Sequence, residues 1–139
     1  MKRVLLVGNG AREHVIAETL KRSPQGCELF VYGAANNPGI KALSSQYKVG
    51  TLSDFDELQA FAREVKTDFA FIGPDNPIAD GAADKLLEIG IPSVGPLMVL
   101  AQLESSKSFT RDLLKKYGIP GNPLFKIFTD MEGVESFIH

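Results

Sequence analysis

The stretch VLLVGNGAREHVIAETL, residues 4–20, runs an apolar strand into a glycine turn and then into a helix. Gly8 and Gly10 follow Val4-Leu5-Leu6-Val7 at the spacing of a phosphate-binding strand–turn–helix fingerprint. The third glycine of that fingerprint is missing. Glu13 stands where close helix-to-strand packing calls for it, flanked by the polar Arg12 and His14. A dinucleotide site would also place an acid after the next apolar run, Leu29-Phe30-Val31-Tyr32, to take the ribose hydroxyls. Gly33-Ala34-Ala35-Asn36 follows instead. What remains is a tight turn and a helix N-terminus whose free N–H groups and positive dipole end suit one phosphate or carboxylate.

Outward from this stretch, strand-like and helix-like runs alternate. A helix over about Arg12–Lys21 is followed by the turn Ser23-Pro24-Gln25-Gly26 and the strand Leu29–Tyr32. Residues 54–66 place Leu58, Phe61, Ala62 and Val65 on one helical face, with Ser53 or Asp54 as cap, and Phe69–Ile72 reads as the next buried strand. Ile78–Glu88 is predicted helical and stopped by Gly90, before a short strand over Pro92-Ser93-Val94-Gly95. Such alternation predicts an α/β fold: a parallel sheet with helices on both faces and sites at the carboxyl ends of its strands. Those ends carry Gly8-Asn9-Gly10, Gly33–Asn36 and Gly73-Pro74-Asp75-Asn76.

After Gly95-Pro96 the pattern changes to helices at about 97–104 and 106–117, a break at Gly118-Ile119-Pro120-Gly121, and a strand over Leu124–Phe128. Phe109, Leu113 and Tyr117, at helical spacing, are expected in a core. Asp130 is placed to cap a helix in which Val134, Phe137 and Ile138 share a face. That helix has barely begun at His139, so the chain reads as a fragment with a first domain over 1–103 and the start of a second over 104–139. Neither an internal repeat nor a low-complexity tract is present.

At 139 residues, 44% hydrophobic and 23% charged, the chain has enough apolar material for a core. A formal net charge of −2, with no long Lys/Arg run, argues against nucleic acid as a partner. One cysteine, Cys27, and two histidines, His14 and His139, argue against an internal disulfide and a Cys/His metal site, and fit a reducing cytoplasm. Residues 4–7 are too short an apolar run for a signal sequence, and no segment approaches a membrane span.

Three motifs taken together, Gly8-Asn9-Gly10-Ala11-Arg12-Glu13-His14, Gly73-Pro74-Asp75-Asn76-Pro77-Ile78, and Gly95-Pro96 followed by Ala101-Gln102-Leu103-Glu104-Ser105-Ser106-Lys107, resemble the N-terminal part of the phosphoribosylamine–glycine ligases. Their order and spacing match across nearly the whole chain. The glycine turn alone is a weak signal; the turn with Arg-Glu-His and the later Leu-Glu-x-Ser-Lys is a strong one. The sequence departs from the family at Ala11, where a second adjacent glycine is usual, at Asp75, where glutamate is usual, and at Ser105, where glycine is usual. The resemblance implies a Rossmann-like domain ahead of an ATP-grasp domain. It also implies a reaction joining glycine to 5-phosphoribosylamine at the expense of ATP with Mg2+ or Mn2+, in de novo purine synthesis. The adenine pocket and metal-binding acids would then lie beyond residue 139, in the remaining C-terminal part of the protein, and the 139 residues alone would be inactive.

On that footing the expected substrate-binding residues are Gly8, Asn9, Gly10, Arg12, Glu13, Pro74 and Asp75. Gly8 and Gly10 also suit a plain βα turn needing positive φ, and Arg12 and Glu13 a solvated first helical turn. Asp75, between two prolines, is placed to aim a carboxylate at ribose hydroxyls or to close an Asx-type turn. His14 is given no catalytic duty. Lys107 reads as a surface lysine by itself; the resemblance implies contact with ATP phosphates. Two competing readings of the chain are a non-catalytic sugar-phosphate-binding module and a dinucleotide-binding oxidoreductase domain, the latter opposed by Glu13 and by the missing acid after Tyr32.

Overall fold

The computed structural model describes residues 1–138. Along the chain come β1 (Lys2–Val7), α1 (Ala11–Arg22), β2 (Cys27–Gly33), α2 (Pro38–Leu43), β3 (Gln46–Val49), α3 (Phe55–Glu64), β4 (Phe69–Ile72), α4 (Asp75–Ala79), α5 (Ala82–Glu88), β5 (Ser93–Val94), α6 (Met98–Ser105), α7 (Lys107–Lys116) and α8 (Val134–Ile138). The chain divides into two compact units, Met1–Ala101 and the residues from Gln102 onward.

In the first unit the described strands form one parallel sheet in the order β3-β2-β1-β4-β5. Its strands alternate sides as the pleat demands. Leu5, Val7, Phe30, Tyr32, Ala70 and Ile72 face Leu58, Phe61 and Ala62 of α3 and Ala82, Ala83 and Leu86 of α5. Val4, Leu6, Leu29 and Val31 face Ala17 of α1 and Ile40 of α2, with Phe69 and Phe71 half-buried at the margin. Burial on both faces explains the apolar runs Val4–Val7 of β1 and Leu29–Tyr32 of β2, because neither side of these stretches meets water. The chain runs from β1 to β2 to β3 in one direction across the sheet, and β4 returns to the opposite side of β1. The sheet therefore reverses direction between β1 and β4, where their carboxyl ends diverge and leave a crevice.

Several expectations are met and several corrected. β4 falls on Phe69–Ile72, and Asp54 caps α3 by accepting the Glu57 N–H at 3.0 Å. The helix expected over 78–88 is two helices, because Gly81 adopts φ +97°, a left-handed conformation that closes α4 and restarts the chain as α5. No strand forms over Leu124–Phe128. Among the described residues the second unit offers no strand to pair with, and a lone strand leaves its backbone groups without partners. Asp130 accepts from the Glu132 N–H at 2.9 Å in a turn, and α8 begins only at Val134. Phe109 and Tyr117, expected in a core, are 37% and 64% exposed, and Leu113 is half-buried. Within the second unit, Asn122 exchanges hydrogen bonds with Arg111, and the Phe128 and Phe137 rings meet edge-on.

One polar brace crosses a core layer. The buried Tyr32 hydroxyl lies 2.6 Å from Glu57 Oε2, to which it donates, and 3.1 Å from the Thr51 carbonyl; Lys48 pairs with the other Glu57 oxygen at 3.2 Å. The Tyr32 hydroxyl and then Lys48 hold the Glu57 carboxyl below its ordinary value of 4.5. Burial, reinforced by Glu57, pushes the Tyr32 phenol up. A carboxyl held low stabilises the fold at pH above 4.5, and that contribution is lost as pH falls through the lowered value. Glu57→Gln should therefore flatten the acid limb: urea midpoints measured from pH 7 down to pH 3 should fall less in the variant than in the parent.

Candidate functional site

The crevice is built from two loops. In the β1–α1 turn, Gly8 adopts φ +116° and donates its N–H to Tyr32 O at 2.8 Å. In the β4–α4 loop, the Gly73 N–H donates to Val7 O at 3.1 Å, and Pro74 and Asp75 open α4. Between the loops lies Glu13, the one buried charged residue among the described residues at 4% exposure. It occupies the third turn position of α1, and its carboxylate accepts the Gly10 N–H at 2.6 Å. This is half of a capping box, in which an acid supplies the acceptor that the first N–H groups of a helix lack, at the end where the dipole favours negative charge.

Glycines make room for that carboxylate. A Cβ on Gly8 would sit 2.8 Å from Glu13 Cγ and from the Pro74 ring, and one on Gly10 would sit 2.9 Å from Glu13 Oε2. One on Gly73 would run into Glu13 Oε1, with Cγ at 2.6 Å and Cδ at 2.7 Å. The missing third glycine is thus replaced by a larger group, and the space it needs comes from three glycines around it.

Above this seat the Arg12 guanidinium reaches across the crevice, donating to Gly73 O at 2.9 Å and to Asp75 Oδ1 at 3.0 Å. Both side chains are more than half exposed, so the pair contributes little to stability, and its groups stay open to solvent. A cavity of about 410 Å3 is lined by Gly10, Ala11, Arg12, Glu13, Pro74, Asp75 and Asn76. A second, of similar size, shares Pro74 and Asn76 and extends to Ala34 and Gly50–Ser53.

Of the residues expected from sequence, Gly10, Arg12, Glu13, Pro74 and Asp75 line one cavity, and Gly8 lies behind it against Glu13 and Pro74. Asn9 turns elsewhere: its Oδ1 accepts the Ala34 N–H at 2.8 Å in the β2–α2 loop. His14 packs its ring on Gly39 of α2 and lies 3.7 Å from Glu18. Lys107 belongs to the second unit, exposed at the first position of α7 behind Ser106, whose Oγ accepts the Phe109 N–H at 3.3 Å. Sequence reasoning did not single out Gly73, Asn76 or Asn37. Asn37-Pro38-Gly39 carries a usable signal, an asparagine cap with proline at the first helical position, and α2 starts there. Among the described residues no group of three or more His, Cys, Asp or Glu is placed to hold a metal ion.

The fit between Glu13 and Gly73 can be measured. Gly73→Ala should destabilise the chain by about 1–3 kcal/mol in denaturant unfolding, the usual cost of overpacking. In a Glu13→Ala background the same change should cost less than half as much, because the carboxylate it would strike is gone.

Known proteins are similar to this chain in sequence and fold. Residues 2–104 match the family model described as phosphoribosylglycinamide synthetase, N domain. A phosphoribosylamine–glycine ligase of Methanopyrus kandleri is 45% identical over 139 residues, covering 99% of this chain and 31% of that protein; one from Methanococcus vannielii is 44% identical over 137 residues, again covering 31% of the relative. The chain therefore spans less than a third of the length of these curated relatives. Among solved structures, N5-carboxyaminoimidazole ribonucleotide synthetase from Thermotoga maritima superposes with a TM-score of 0.76 at 19% identity, covering 99% of this chain and 36% of that one. At that identity the likeness speaks for the fold alone. With a family model matched over most of its length and a sheet that reverses at a glycine-walled crevice, the chain belongs to the phosphoribosylglycinamide synthetase N-domain family.

Proposed function

We propose that this chain is the sugar-phosphate-binding N-terminal part of a phosphoribosylamine–glycine ligase. The observation that carries this reading is the crevice between β1 and β4, where the Gly8–Gly10 turn, Arg12 and Asp75 surround one solvent-open cavity. Arg12 supplies a cation for a phosphate and Asp75 an acceptor for ribose hydroxyls, while Pro74 at the N-cap and Pro77 in the first turn stiffen the start of α4 that carries Asp75. Gly8 and Glu13 shape the floor; Gly10 and Pro74 form walls that a ligand can approach closely. Asn9 stands behind the lining and ties the glycine turn to the β2–α2 loop. The dinucleotide reading is disfavoured because the Glu13 carboxylate fills the space that a third glycine would leave for helix–strand packing.

In the whole ligase, 5-phosphoribosylamine, glycine and ATP would be the substrates, with Mg2+ or Mn2+ held by acids outside this chain. The second unit, which we place at the start of an ATP-grasp domain, contributes Lys107 to the ATP phosphates. A cytoplasmic setting suits that role, and no helix among the described residues is long and apolar enough to cross a membrane.

Titration calorimetry should show ribose 5-phosphate binding to the 139-residue chain, with NAD competing poorly; Asp75→Asn should weaken that binding by about tenfold, the worth of a charge-assisted hydrogen bond. Tight NAD binding with no ribose 5-phosphate binding would overturn the reading. In the full-length ligase, Lys107→Ala should lower kcat/KM for ATP roughly 30- to 1,000-fold, as expected for a cation on phosphates in a water-poor site, and leave ribosyl phosphate binding almost unchanged. Steady-state kinetics equal to the parent would return Lys107 to the solvated helix face.

A further inference from the structure

We infer that Asn37 is a positioning residue for the crevice, acting on the single peptide unit that joins Asn9 to Gly10; the inference rests on the sugar-phosphate reading above. A trans peptide is planar, with its C=O and N–H pointing in opposite directions, so holding both groups fixes the rotation of the whole plane. Here both are held. The Asn9 carbonyl accepts Asn37 Nδ2 at 3.0 Å, and the Gly10 N–H donates to Glu13 Oε2 at 2.6 Å. On one side this peptide adjoins Gly10, which has no Cβ to restrict its φ, so the plane needs hydrogen bonds to hold its rotation. Its orientation sets the lip formed by Gly10, Ala11 and Arg12 along the cavity.

Asn37 is itself immobilised from three directions. Its Oδ1 accepts from Gly39 N at 3.0 Å and Ile40 N at 3.2 Å, capping α2, and its own N–H donates to the Tyr47 hydroxyl at 3.3 Å. Tyr47 in turn donates to Ala35 O at 2.6 Å. With Ala34 N–H on Asn9 Oδ1, the β2–α2 loop and the glycine turn are tied by side-chain amides running in both directions. The assignment of oxygen and nitrogen in Asn37 follows from chemistry: two backbone N–H donors face one atom and a carbonyl faces the other, so the first is oxygen.

Capping and clamping separate by substitution. Serine and aspartate both cap helices well, yet aspartate has no donor for the Asn9 carbonyl and the single serine hydroxyl is too short to cap and reach that carbonyl at once. Asn37→Ser and Asn37→Asp should therefore keep the parent's melting temperature within a few degrees. Both should accelerate amide hydrogen exchange at Gly10 about tenfold or more, with exchange at Ile40 little changed, and weaken ribose 5-phosphate binding by calorimetry about five- to tenfold, as the loss of one orienting hydrogen bond allows. If Gly10 exchange and affinity stay at parental values in Asn37→Ser, the inference is wrong. Faster Gly10 exchange with unchanged affinity would leave Asn37 a purely structural cap and also overturn it. Weakening by Asn37→Asp alone would assign the effect to repulsion of the phosphate and overturn the clamp. A parent that fails to bind ribose 5-phosphate would defeat the functional reading, and Gly10 exchange would then decide the clamp by itself.

Discussion

The crevice depends on one buried carboxylate. Removing a charge from water is expensive unless its hydrogen bonds are replaced, and Glu13 is placed where replacement is at hand, on the first turn of α1 with the Gly10 N–H and the positive helix end beside it. That choice constrains everything around it. Gly8, Gly10 and Gly73 lack side chains where the carboxylate lies, and two loops more than sixty residues apart are shaped to the same group. Arg12, the residue before Glu13 in the same turn, is thereby held within reach of Gly73 and Asp75.

The rest of the rim is tied down by short polar bridges. Asn9 and Asn37 link the loops that follow β1 and β2, Tyr47 fixes the β2–α2 loop, and the Tyr32–Glu57 pair anchors the chain as it leaves β3 at Thr51. Loops at strand ends are ordinarily the mobile part of an α/β protein. Here their backbone groups are paired with one another's side chains and with Glu13 and Tyr47 from the flanking helix and strand, an arrangement that spends little ordering entropy when a ligand arrives.

Much of this was legible beforehand. Unbroken apolar runs and glycine turns announced β1, β2 and β4, and the spacing of Leu58, Phe61 and Ala62 announced α3, because burial and helical periodicity are local properties of the chain. The cluster of Gly10, Arg12, Pro74 and Asp75 was legible from strand ends and from family resemblance. The seat of Glu13 against Gly73 was not, since it depends on which strand becomes β1's second neighbour. β3 and α2 escaped because Gln46–Val49 is a half-exposed edge strand with weak alternation, and α2 is only six residues long. The break at Gly81 escaped because a glycine inside a helical pattern does not declare its φ. Leu124–Phe128 misled for the opposite reason: it has strand composition, but a strand is a pairing, and no described partner lies in its unit.

The strand order also carries a kinetic consequence. β1 pairs with β2 in the register Val4↔Leu29 and with β4 in the register Val4↔Phe69, so its two edges close chain loops of very different length. The shorter closure is entropically easier, and topologies rich in distant pairings fold more slowly. The β1-β2-β3 half can therefore collapse around α1 and α2 before β4 arrives. Until it does, Glu13 has only half of its seat and the β1 edge has open hydrogen-bonding groups. The crevice is complete only once β4 has docked, and a ligand spanning it selectively stabilises the completed sheet, so that occupancy of the site and docking of the β4 half rise together.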